Sequence, residues 1–268
     1  MKSLIILLVL ILTFNFSYSK KKIVVTGYQI KLIVQEIAGN KLEVNNIIPP
    51  NVSIHTFYPK PSDVVKIKES DMAIYLSDKI DFWIKKFKKN NIVELIEFVP
   101  KNMLLTFDNE SHHSHDEGHH HHSHENHNID PHFWLDPMVV SKVVPELTKK
   151  IIKLDGGNET YYKRRADEFL NKLEFIVEKI QNKLNVFKGE NIILFHPSFR
   201  YFLNRFNLNY AGSIEESPGK EPSPKYLLNL MKKIKKYKIK ALYTEPQLSK
   251  KSVDAIAKET KLKVYVIN

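Results

Sequence analysis

An α/β fold is predicted: two lobes, each with a small parallel β-sheet flanked by helices, joined by one long helix. Short apolar strands alternate with helical stretches, the pattern of a parallel sheet. That alternation stops at a long amphipathic run in mid-chain and then starts again. A chain of 268 residues is long enough to give both lobes a hydrophobic core.

Residues 1–19 read as a leader. Lys2 supplies a positive start, Leu4 to Phe16 is almost unbroken apolar sequence, and Ser17 and Ser19 are the small residues expected before a cleavage site. The run is shorter than the roughly 20 residues a membrane span needs. Lys22 to Thr26 then reads as a buried strand, and Tyr28 to Ile37 has helical spacing that stops at Gly39. Leu42 to Ile47 is a second strand, followed by a proline-rich loop from Pro49 to Pro61. Ser62 is placed to cap a short helix with Asp63 in its first turn. Asp71 to Leu76 and Val93 to Phe98 supply two further strands. Asp108 to Asn128 has no apolar periodicity and is rich in His, Glu, Ser and Asn, which marks a solvated loop.

Met138 to Ile152 is helical, and Gly156 and Gly157 form a turn. From Asn158 to Phe187, apolar residues recur at intervals of three and four, so one helix of roughly 40 Å is expected. It ends at Gly189. Strands are then expected at Asn191 to Phe195, Ala241 to Tyr243 and Lys263 to Ile267. Helices follow Pro197, open at Pro224 and run from Lys250 to Glu259. The division is an N-terminal lobe at 20–157 containing the His-rich loop 108–128, a linking helix at 158–189, and a C-terminal lobe at 190–268. A ligand belongs in the cleft between them, at the carboxyl ends of the strands.

Composition removes several functions. There is no cysteine, so disulfides, thiolate metal sites and a cysteine-linked lipid anchor are not expected. The net charge of +11 raises nucleic acid as a partner. It is discounted because the charge is nearly all lysine, with only Arg164, Arg165, Arg200 and Arg205 as arginines, and because the lysines recur on helical faces. A monomeric protein, soluble outside the cytoplasm, is expected.

Of the 12 histidines, all but His55 and His196 lie between His112 and His132. His55 follows the second strand in NVSIHTFYPKPSD. His132 lies in DPHFWLDP, just before a helix. His196 comes directly after NIILF, in HPSFRYF. Each therefore stands at the end of a strand or loop facing one cleft. Zinc accepts neutral imidazole nitrogens in a tetrahedral shell, and three histidines from two lobes leave one position for a carboxylate or water. Asp130 and Asp136 flank His132 and are placed to orient its ring. Proton competition should weaken binding as the pH falls through about 6.5. The His-rich loop is a second, less organised metal signal, expected to collect zinc and pass it inward.

These segments resemble the zinc-binding solute-binding proteins of metal ABC importers, the high-affinity zinc uptake type. The likeness runs from Lys22 to the end of the chain, through IAGN, IHTFYPKPSD, DPHFWLDP, HPSFRYF, SPGKEPSP and TEPQLS. It implies two lobes bridged by a rigid helix, zinc held between them by His55, His132 and His196, and delivery to an inner-membrane ABC permease from the periplasm. Manganese-binding relatives typically place a carboxylate where this chain has His196, so zinc is favoured. Ile54 stands where the family usually has proline. Relatives also continue past the last strand, often with a carboxylate ligand, whereas this chain stops at Asn268. The fourth position thus falls to water or to a side chain the sequence does not identify. Glu245 is a candidate only for a role near the site, and is read first as a surface carboxylate ahead of a helix. The rival readings are a manganese receptor, an extracellular metal buffer or adhesin, and a zinc hydrolase with an activated water; HExxH is absent, and an enzyme is not expected.

Overall fold

The computed structural model describes residues 19–88, 90–107, 129–216, 218–248 and 251–267. The leader expected at 1–19 lies outside them except for Ser19, as does the His-rich loop 108–128. Among the described residues no helix is long and apolar enough to cross a membrane.

Two parallel sheets of four strands carry the two lobes, which bears out the predicted fold class. The first contains β1 (Lys22–Val25), β2 (Glu43–Asn46), β3 (Met72–Tyr75) and β4 (Ile92–Glu94) in the order β2-β1-β3-β4. The second contains β5 (Asn191–Leu194), β6 (Asn209–Ser213), β7 (Ala241–Thr244) and β8 (Lys263–Val266) in the order β6-β5-β7-β8. All pairings are parallel, and the two orders are equivalent.

Helix α1 (Tyr28–Ala38) buries Ile30, Ile33, Val34 and Ile37, one stripe at helical spacing, against the first sheet. It stops at Gly39, whose φ is +53°, and a Cβ there would meet the Tyr161 hydroxyl at 2.1 Å. The positive φ favours glycine, and a Cβ would also push the Tyr161 hydroxyl aside. Helix α2 (Pro61–Glu69) begins two residues earlier than its sequence suggests. Pro61, with φ fixed for a first helical position, makes Lys60 the cap, and Asp63 reaches back to accept from the Lys60 amide at 3.0 Å. Helix α3 (Pro137–Leu154) is capped by Asp136, which accepts from the Met138 amide at 2.8 Å, and buries Val139, Val140, Val143, Val144, Leu147 and Ile151.

The long helix α4 covers Glu159–Leu184, and a 3₁₀ turn continues it to Phe187. Its 26 residues extend about 39 Å at 1.5 Å per residue. Tyr162, Ala166, Phe169, Leu170 and Leu173 pack on the N-terminal core beside α1 and α3. Beyond Leu173 the apolar stripe opens to solvent, and Phe175 and Ile176 are exposed.

The second lobe holds α5 (Arg200–Arg205), α6 (Pro224–Lys236) and α7 (Lys251–Thr260). Ser223 caps α6, accepting from the Tyr226 amide at 3.2 Å, with Pro224 at the first helical position. Leu230 and Ile234 of α6 and Val253 and Ile256 of α7 pack with Ile193, Ile214 and Leu242 in this lobe's core.

Two strand expectations change. Val93 to Phe98 is strand only to Glu94, because Leu95–Phe98 curls into a 3₁₀ turn. β6 was not expected at all. It is an edge strand of sequence NYAGS, pairing with β5 through a register shift, with Gly212 at φ +147°.

Candidate metal centre

The three histidines arrive from three different loops at the carboxyl ends of the sheets. β1 and β3 end in a buried polar layer, where the Thr26 hydroxyl and the Leu76 and Ser77 amides donate to Asp81. The chain leaving β2 runs through Ile47 and Ile48, both buried, and brings His55 to the cleft. Thr106 and Ile129 form an isolated antiparallel bridge, and the next two residues, buried Asp130 and Pro131, lead into His132. In the other lobe β5 ends at Leu194, Phe195 is buried, and His196 is the first residue beyond.

His132 and His196 are each 3% exposed, while His55 is part-buried. The three ring centroids are 5.2, 5.3 and 5.4 Å apart. One potential ligand atom from each residue lies within 4.8 Å of the other two. His55 Nε2 and His132 Nε2 approach to 3.1 Å. Two nitrogens bound to one tetrahedral zinc at 2.0 to 2.1 Å would be about 3.3 Å apart, so the approach is close to one edge of such a shell.

The outer nitrogens set the chemistry of the inner ones. His132 Nδ1 lies 2.7 Å from Asp130 Oδ1, which also accepts from the His132 amide at 3.1 Å. Asp130 is fully buried, so its carboxylate holds the ring proton on Nδ1 and leaves the Nε2 lone pair facing His55. Glu245 takes the matching place beside His196: its Oε1 is 2.8 Å from Nδ1, an ion-pair distance without hydrogen-bond alignment. The same oxygen accepts from Ser198 Oγ at 2.8 Å, and Oε2 accepts from Gln247 Nε2 at 2.9 Å. His196 Nε2 is buried with no hydrogen-bond partner among the described residues. A buried, unpaired imidazole nitrogen beside two others needs a partner that the described part of the chain does not supply.

Burial first, and then the proximity of His132 and His196, lowers the pKa of His55 from 6.5 to about 3. The ring is therefore neutral, as metal ligation requires, well below the ordinary imidazole range. NMR titration of its ring protons in the metal-free protein should give a midpoint far below 6.5, near about 3; a midpoint at or above the ordinary value would contradict this environment. Between those values the unfolded chain holds a proton at His55 that the folded chain lacks. The contribution to stability is present above the unfolded value and declines as the pH falls toward the folded one.

Two readings from the sequence change here. Asp136 does not orient His132: it caps α3 and pairs with Arg205 through bonds of 2.8 to 2.9 Å. Glu245 is not a surface carboxylate but 8% exposed and against His196. Arg200 and Tyr201 were not singled out, yet they close this side of the cleft. Tyr201 Oη donates to the Asp130 carbonyl and accepts from the Leu105 amide, both at 2.9 Å. Arginine at position 200, in a chain whose positive charge is almost all lysine, was the available signal for a planar, directed contact. The fourth-ligand position at the chain end, Asn268, lies outside the described residues. Between the lobes a cavity of about 320 Å³ is lined by Ser53 and Thr56 from the His55 loop and by Glu215, Gly219, Gln247 and Ser252 opposite.

The family described as zinc-uptake complex component A, periplasmic, matches residues 23–268. The high-affinity zinc uptake system protein ZnuA of Bacillus subtilis is 29% identical over 249 residues, covering 93% of this chain and 78% of its own. The zinc-binding protein AdcA of Streptococcus pyogenes is 28% identical over 258 residues, 93% of this chain but only 50% of AdcA, so this chain spans half the length of that relative. A crystal structure of ZnuA superposes with a TM-score of 0.77 at 25% identity, covering 92% of this chain and 90% of that one. A Zn(II)-bound variant of AdcAII from Streptococcus pneumoniae gives 0.77 at 27% identity, covering 93% and 88%. With the match running from residue 23 to residue 268, the chain belongs to the family of periplasmic zinc-uptake complex component A proteins.

Proposed function

We propose that this protein captures a zinc ion between its lobes through His55, His132 and His196 and delivers it to the permease of an ABC importer. One observation carries the reading: three imidazoles from two lobes present nitrogens within 4.8 Å of one another. Similarity to the high-affinity zinc uptake system protein ZnuA and the zinc-binding protein AdcA supports it. Three nitrogen ligands favour zinc over manganese, which prefers oxygen donors. Water from the cleft is a suitable fourth ligand. A chain without cysteine has no residue for a cysteine-linked lipid anchor, which supports a receptor that moves freely in the periplasm.

Binding and release, rather than turnover, suit the surroundings of the rings. Asp130 and Glu245 both face outer ring nitrogens and have further partners, so neither is poised beside the open position as a general base. The His-rich segment 108–128 would collect ions outside the cleft. We assign residues 20–157 and 190–268 to the two working lobes and 158–189 to the helix that restrains them. Only small lobe movements are then expected, and solution scattering with and without zinc should give nearly superimposable curves.

Metal titration of the mature chain tests the reading. The Trp134 ring centroid is 5.3 Å from that of His132, so its fluorescence reports on the site. Tight saturation by zinc, much weaker binding of manganese and no hydrolytic turnover are expected. Manganese binding as tight as zinc, or a zinc-dependent hydrolysis, would overturn the assignment.

A further inference from the structure

Arg200 lies four residues beyond His196, at the start of α5, and its side chain crosses to the opposite lobe. There it makes two directed contacts. Nη1 reaches Asp130 Oδ2 at 3.3 Å, and Nη2 donates to the Thr106 carbonyl at 2.8 Å. The guanidinium also lies over the Phe107 ring, 4.7 Å from its centroid, and 5.7 Å from that of Tyr210. Asp130 Oδ1, the other oxygen of the same carboxylate, is the one against His132 Nδ1. One chain segment thus carries a candidate ligand, His196, and also grips the group that orients another, His132.

The burial of this relay gives it force. Asp130 is fully buried and the Arg200 side chain is 17% exposed, so their attraction is screened far less than that of a surface pair. A carboxylate held at both oxygens cannot rotate away from the imidazole. The planar, two-pronged guanidinium suits two acceptors at fixed positions, which a single ammonium does not. Thr106 and Ile129 are bridged, so Arg200 holds both strands of the neck from which the His-rich segment departs.

We propose that Arg200 is a positioning residue for the metal centre: by holding Asp130 across the cleft, it fixes His132 and slows the escape of zinc. The inference rests on the zinc-receptor reading and adds a route for release. Any separation of the lobes withdraws Arg200 from Asp130, frees the carboxylate and loosens His132. The importer then needs only to part this edge of the cleft.

The test compares Arg200→Met, Arg200→Lys and Arg205→Met with the parent. Arg205 sits on the same helix and also crosses the cleft, but it pairs with Asp136 and does not reach Asp130. Zinc dissociation into excess chelator should be about 10-fold faster in Arg200→Met, the lower end of what outer-shell substitutions do to metal sites. Association should be unchanged. Arg200→Lys, which keeps the charge but not the fork, should fall between Arg200→Met and the parent. Arg205→Met should match the parent. In the metal-free protein, the His132 Nδ1–H resonance should be sharp in the parent and in Arg205→Met, and exchange-broadened in Arg200→Met. Parent-like dissociation and a sharp resonance in Arg200→Met would overturn the proposal. So would equal acceleration in both methionine variants, which would reduce Arg200 to a structural latch. A parent that binds zinc no better than His55→Ala would instead strike the receptor reading; the metal-free resonance judges Arg200's hold on His132 even then.

Discussion

His55→Ala is expected to lower zinc affinity by about 100- to 1,000-fold while costing the metal-free protein little stability. Structural zinc sites with four ligands are worth about 10 to 16 kcal/mol, roughly 2.5 to 4 kcal/mol per ligand, and each 1.4 kcal/mol is tenfold. The effect on the metal-free fold is small because of where the ring sits. His55 Nε2 lies 3.1 Å from His132 Nε2, so a neutral His55 with its proton on Nε2 donates to the His132 lone pair. Burial and its two neighbours keep this ring uncharged. Alanine gives up one hydrogen bond, worth about 0.5 to 1.5 kcal/mol net, and because His55 is only part-buried it leaves a small cavity. Melting curves with and without zinc separate the two effects. The zinc-dependent rise in Tm should shrink sharply, and the zinc-free Tm should fall by no more than about 1 to 6 °C. A large fall in the zinc-free Tm would mean that His55 serves packing rather than metal.

The positions of the histidines could be read from sequence because each follows a local signal that survives folding. His196 comes right after a run of β-branched and apolar residues, and the buried sequence NIIL does form a strand that ends two residues before it. His132 precedes a proline-opened helix with an aspartate cap, and that helix forms. What surrounds the histidines depends instead on contacts between distant segments. Glu245 follows β7, and only the order β6-β5-β7-β8 brings it beside His196 at the end of β5. No spacing within TEPQ reports that neighbour. Asp136 looked equivalent to Asp130 because both flank His132. Capping α3 and pairing with Arg205 turn its carboxylate elsewhere. β6 escaped notice for a different reason: Asn, Tyr, Ala, Gly and Ser show little apolar alternation, and an edge strand needs little. The long helix was legible from its spacing, but burial of its stripe ends at Leu173, since periodicity shows that a face exists and not what covers it.

Asp130→Ala should be the most damaging single change outside the histidines, because it acts on stability and affinity together. The carboxylate has no exposure and serves the His132 ring, the His132 amide and the Arg200 guanidinium. Alanine leaves the guanidinium facing a site without its counter-ion. Removing one member of a buried pair destabilises by about 3 to 5 kcal/mol, and the partial exposure of Arg200 places this case near about 3 kcal/mol. For a chain of this size that corresponds to a fall in Tm of roughly 6 to 12 °C. Zinc affinity should drop about 10- to 100-fold as well, since the His132 ring loses the acceptor that fixes its tautomer and orientation. Asp130→Asn discriminates between the causes. Its amide oxygen can accept from the imidazole or from Arg200, but its NH₂ group meets a second donor on the other side. Asn should therefore recover the packing of Asp while leaving either the ring or the guanidinium unsatisfied. If Asn restored both Tm and zinc affinity to the parent values, shape rather than charge would be what the site requires of residue 130.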